Sequence, residues 1–147
     1  MSRELSHQRE VATLGIPLRV LIVAESEGDG FRLVRELKRA GYDPRYDRVD
    51  DAAALLVLLK EGRAWDVVIT DGTSCLSLLR DHDADLPVVF ITVPLDEDLA
   101  VEAMRAGARD YVLKGNLRRL GPLIEREVRD AAMRRDQRRT QAAPGGT

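Results

Sequence analysis

Four side chains of complementary chemistry stand at the carboxyl ends of short apolar runs. Glu25 follows Val20-Leu21-Ile22-Val23-Ala24, Asp71 follows Val67-Val68-Ile69-Thr70, Thr92 closes Val88-Val89-Phe90-Ile91, and Lys114 follows Tyr111-Val112-Leu113. An aspartate is a nucleophile able to carry an acyl phosphate. A lysine ammonium is a mobile point charge for one phosphate oxygen, and a threonine hydroxyl donates to another. Mg²⁺ favours carboxylate and phosphate oxygens and offsets the charge that builds up in the transfer. The set suits a phosphoryl group handled on a carboxylate, provided the fold brings the four together.

The elements that would do so are legible. Short β-branched runs at Leu18 to Ala24, Arg45 to Val49, Asp66 to Thr70, Val88 to Thr92 and Asp110 to Leu113 read as strands. Between and after them lie helical spacings: Phe31, Val34, Leu37; Ala52 to Leu59; Leu76, Leu78, Leu79; Leu99, Ala103, Met104; and Leu120, Leu123, Ile124, Val128, Ala131. Strand ends near Ala24, Asp50, Thr70, Thr92 and Lys114 fall 20 to 26 positions apart, the step that a strand-helix-strand crossover requires. Ala40-Gly41-Tyr42-Asp43-Pro44, Lys60-Glu61-Gly62 and Ala106-Gly107 punctuate three of the helix ends. The strand runs lack alternation, as expected when helices cover both faces of a parallel sheet. An α/β fold with a five-stranded parallel sheet follows. In such sheets ligands bind beyond the carboxyl ends of the strands, where the four residues stand.

Bulk properties exclude more than they assign. The 147 residues fit one domain, and with aromatics at 4% the core must be built from Leu, Val, Ile and Ala. The net charge of -2 names no partner. One cysteine, Cys75, excludes an intrachain disulfide, and two distant histidines, His7 and His82, offer little metal chemistry. A lone cysteine reads as a small buried apolar residue rather than a sensor, and a cytoplasmic location fits. No run is long and apolar enough for a membrane span.

Ala100-Val101-Glu102-Ala103-Met104-Arg105-Ala106-Gly107-Ala108-Arg109-Asp110-Tyr111-Val112-Leu113-Lys114 and Trp65-Asp66-Val67-Val68-Ile69-Thr70-Asp71 carry a more specific signal. They resemble the receiver domain of bacterial two-component response regulators, across roughly residues 18 to 131. The resemblance implies a flavodoxin-like fold with strand order 2-1-3-4-5 and helices on both faces. It implies Asp71 as phosphoacceptor, Lys114 as the phosphate-contacting lysine, Thr92 as the hydroxyl that moves toward the phosphate and Tyr111 as the aromatic that rotates with it. It also implies a Mg²⁺ site formed by Glu25, Asp71 and the backbone carbonyl of Thr73.

The chain departs from that pattern at several points. Ala24 stands where receivers usually carry the first of two adjacent acids, so Mg²⁺ binding is expected to be weak or absent. The segment Asp71-Gly72-Thr73-Ser74-Cys75-Leu76 is shorter than usual, Val93 replaces a small residue, and Gly115 replaces a proline. Two accounts follow. In one, a single-domain receiver takes phosphoryl from a histidine kinase or phosphotransfer protein and signals by contact with a downstream protein; a homodimer is left open. In the other, a pseudo-receiver acts as an interaction module without phosphorylation. A flavin or nucleotide binder of the same fold is a third reading, with weak support in Gly28-Asp29-Gly30.

Residues 1-17 read as a polar arm, 18-139 as the receiver with an extended basic last helix, and 140-147 as a flexible tail. Arg134-Arg135 and Arg138-Arg139 would steer an acidic partner or suit the helix end. Without a recognition motif they do not suggest nucleic acid. The helix Ala52 to Leu59 is apolar nearly all round and reads either as deeply buried or as a partner surface.

Overall fold

The computed structural model describes residues 15–93 and 97–142. Most of the arm expected at 1-17 and of the tail expected at 140-147 lies outside them. The order is β1 (Ile16–Val23), α1 (Glu27–Arg39), β2 (Tyr42–Val49), α2 (Ala52–Leu59), β3 (Val67–Thr70), α3 (Leu76–His82), β4 (Val88–Thr92), α4 (Glu97–Arg105), β5 (Asp110–Leu113), a 3-10 turn (Leu117–Arg119) and α5 (Leu120–Ala142). All strand pairs are parallel, in the order β2-β1-β3-β4-β5.

The unbroken apolar runs explain the layers. Successive side chains of a strand point to opposite faces, so each run feeds two cores. Val20, Ile22, Val67, Ile69, Val89 and Ile91 meet Leu33, Val34 and Leu37 of α1 and Leu120, Leu123 and Ile124 of α5. Leu21, Val23, Val68, Val88 and Phe90 meet Leu55 and Leu59 of α2, Leu76 and Leu79 of α3 and Ala103 of α4. Ser26 caps α1 through its Oγ, which accepts from the Asp29 N–H at 3.2 Å, and Asp51 caps α2 in the same way through Ala54 at 2.9 Å. Gly107, at φ 118°, ends α4 beside the Arg80 guanidinium, where a Cβ would come within 2.8 Å of nitrogen.

Three readings need correction or choice. Tyr42-Asp43-Pro44, taken as helix punctuation, belongs to β2 and pairs in register with Ile16-Pro17-Leu18. β2 is an edge strand, where Pro is tolerated and the apolar signal is weak. Arg134, Arg135 and Arg138 are not free to steer an acidic partner. The Arg134 guanidinium donates to the Asp85 carbonyl at 3.1 Å, and Arg135 and Arg138 pair with the Asp83 and Asp85 carboxylates at 3.0 and 3.4 Å. In α2, Leu55 and Leu59 are buried while Val57 is 68% exposed, so the helix is not buried all round. Among the described residues no helix is long and apolar enough to cross a membrane.

Candidate functional site

The carboxyl rim of the sheet is built by backbone pairing that runs one residue past β1, β3 and β5. The Ala24 N–H donates to the Val49 carbonyl at 3.0 Å, that of Asp71 to Val23 at 3.2 Å, and that of Lys114 to Thr92 at 2.8 Å. These bonds hold the chain ends of β1, β3 and β5 at one edge. Asp71 and Lys114 line the same cavity, with Ala24, Ile69, Ile91 and Asp29 among its other walls. The cavity measures about 20 Å³, room for roughly one water.

Asp71 is half-buried, and its carboxyl is held above the ordinary carboxylate range. Burial is the main cause, since the charged form loses solvation. The Lys114 charge opposes the rise, while the Asp29 and Glu25 charges add to it. Asp71 does not cap α3. That helix starts at Leu76, and the residue at its N-cap, Cys75, makes no side-chain cap.

Lys114 is engaged elsewhere. Its Nζ donates to Asp29 Oδ2 at 3.2 Å. Asp29 lies in the first turn of α1, four residues before the buried Leu33, and that spacing turns it toward the sheet. Sequence reading missed this role, having met Asp29 only within Gly28-Asp29-Gly30; the distance from Leu33 was the available signal.

Arg48 is the second residue missed. Its guanidinium donates to the Ala24 carbonyl at 2.8 Å and pairs with Asp50 and with Glu27, the latter at 3.5 Å. It passes over Gly30, where a Cβ would lie 2.9 Å from Arg48 Cδ. A cation therefore fastens the backbone at the strand end where receivers usually carry two acids.

The donor types at the rim suit Mg²⁺, but the set is incomplete. Ala24 is 3% exposed and contributes a methyl group. The Thr73 carbonyl accepts from the Leu76 N–H at 3.2 Å, in the turn that opens α3. Glu25 is exposed. Among the described residues no three Asp, Glu, His or Cys side chains stand together as a metal cage.

Thr92 is buried and does not line the cavity of Asp71 and Lys114; its hydroxyl donates to the Val93 carbonyl at 3.4 Å. Tyr111 is partly exposed on β5, the edge strand. Cys75 is buried, with Sγ 3.4 Å from Thr70 Oγ1. Its thiol is pushed up chiefly by burial, which fits a packing role.

Comparison with known proteins places this geometry in context. The model of the response regulator receiver domain matches residues 20–124. The regulatory protein AtoC of Escherichia coli is 35% identical over 69 residues, covering 46% of this chain and 15% of AtoC. The response regulator protein FleR of Pseudomonas aeruginosa is 38% identical over 104 residues, covering 65% of this chain and 21% of FleR. The chain thus spans about a fifth or less of those relatives. Among solved structures, NtrX from Brucella abortus in complex with ADP superposes with a TM-score of 0.73 at 24% identity, over 86% of this chain and 29% of that one. A response regulator receiver domain protein from Clostridium thermocellum gives 0.68 at 20% identity, over 79% and 98%. At such identities these two likenesses speak for the fold.

Proposed function

The chain belongs to the response regulator receiver domain family, and on that premise we propose that Asp71 accepts a phosphoryl group from a histidine kinase or a phosphotransfer protein. One observation carries the reading: Asp71 and Lys114, at the ends of different strands, line one cavity. In the transfer an Asp71 carboxylate oxygen forms a bond to phosphorus, and the bond from phosphorus to the donor imidazole nitrogen breaks, its electron pair leaving with the imidazole. Lys114 supplies positive charge to the phosphoryl oxygens. Thr92 donates to them once its hydroxyl leaves the 3.4 Å bond to Val93. That inward movement would allow Tyr111 to repack and bias a two-state equilibrium read by a downstream protein. Glu25, Asp71 and the Thr73 carbonyl are the groups that would hold Mg²⁺, which would offset charge on the phosphoryl oxygens, and no step above is routed through it.

The test is intact mass after incubation with Mg²⁺ and acetyl phosphate. A single added phosphoryl that disappears in Asp71→Asn is the expected result. An unchanged mass in the unsubstituted protein would favour the second reading, a pseudo-receiver that acts through contact alone. That reading draws its support from Ala24 and from the engaged Thr73 carbonyl.

A further inference from the structure

The contact between Lys114 and Asp29 joins residues 85 positions apart, and both residues line the cavity that Asp71 also lines. The lysine side chain is 38% exposed and that of Asp29 29%, so the pair is partly screened and exchangeable. Asp29 itself is well placed to stay. Its backbone N–H is bound to the Ser26 Oγ, and the neighbouring Gly30 lets Arg48 run against the first turn of α1. The Asp71 carboxylate takes no side-chain hydrogen bond among the described residues.

A phosphoryl group on Asp71 would bring about two negative charges and three acceptor oxygens into that space. It would repel Asp29 and offer the ammonium a stronger acceptor. We propose that Asp29 is the resting counter-ion of Lys114, a positioning residue that competes with the incoming phosphoryl group for this ammonium and thereby restrains the loading of Asp71. The competition rests on the phosphoacceptor reading of Asp71; the resting pair does not. Asp29 acts here by withholding a cation, a different role from that of a metal-ligating acid, and the two roles predict opposite effects of its removal.

Two measurements on the full chain test it. The protein has three lysines, Lys38, Lys60 and Lys114, so lysine-labelled NMR resolves each ammonium. Asp29→Asn should move the Lys114 Nζ signal and leave those of Lys38 and Lys60 in place, and Asp29→Glu should restore it. An unmoved Lys114 signal would overturn the resting pair. In the second measurement, loading from acetyl phosphate is followed by intact mass. Asp29→Asn should load about threefold faster than the unsubstituted chain, with Asp29→Glu returned close to the original rate. Equal or slower loading in Asp29→Asn would refute the competition, and slower loading with weaker Mg²⁺ binding would make Asp29 a metal-ligating carboxylate instead. If neither protein takes up phosphoryl, the phosphoacceptor reading fails and the competition falls with it, while the Lys114 signal still decides the pair.

Discussion

Ala24 and Asp71 line one small cavity from the ends of adjoining strands, β1 and β3, so a methyl group occupies the strand end next to the Asp71 carboxylate. That juxtaposition puts a methyl group where a second carboxylate would face a hard cation, and it makes the first prediction.

Ala24→Asp should raise Mg²⁺ affinity by about tenfold or more, because it adds a carboxylate oxygen beside Asp71 for a hard cation. It should also lower stability without metal, since Ala24 is 3% exposed and a charge placed there gains no solvent. Mg²⁺ titration by calorimetry and melting with and without the ion measure both. An unchanged affinity would show that Ala24 is not what limits metal binding.

The raised pKa of Asp71 makes a stability prediction with a definite sign. Burial favours the protonated carboxyl in the folded state, so the folded state gains relative to the unfolded one at low pH. That gain is lost as pH rises through the raised folded value. Asp71→Asn removes the buried charge and should therefore melt at a higher temperature at neutral pH. The advantage should vanish below about pH 3, under the ordinary Asp value. Melting curves at the two pH values decide it, and a loss of stability at neutral pH would contradict the assignment.

Cys75 should react slowly with a thiol reagent. Its burial keeps the thiol both protonated and inaccessible. Labelling should match the unfolded rate only in denaturant, and rapid modification of the native chain would reopen the sensor reading.

Asp85 is 5% exposed and ties the far end of α5 to the approach to β4, facing Arg134 and Arg138. Asp85→Ala should cost about 2 kcal/mol by leaving the largely buried Arg134 without its carboxylate. Urea unfolding measures the loss. Arg139→Ala, next in the same helix, serves as the control and should change stability by less than about 0.5 kcal/mol.

How much could be read beforehand differs from residue to residue. The central strands were legible because Val67 to Thr70 and Val88 to Thr92 are buried on both faces, which leaves an unbroken apolar run in the chain itself. β2 was read three residues short, because an edge strand exposes one side and its start carries Asp43 and Pro44. Asp71 directly follows such a run, and Lys114 follows the short stretch Tyr111-Val112-Leu113 of the edge strand β5.

What the amino-acid sequence determined by itself was the alternation of strand and helix, the α/β class and the rim where the polar strand ends meet. Those depend on local periodicity and on turn chemistry carried by neighbouring residues. Only the tertiary structure decided which charges meet there: Lys114 on Asp29, Arg48 on the Ala24 carbonyl, and Arg134, Arg135 and Arg138 on Asp83 and Asp85. The physical reason is that an ion pair is chosen by distance in space among several carboxylates of equal chemistry. That distance is set by strand register and helix placement, which no local pattern encodes.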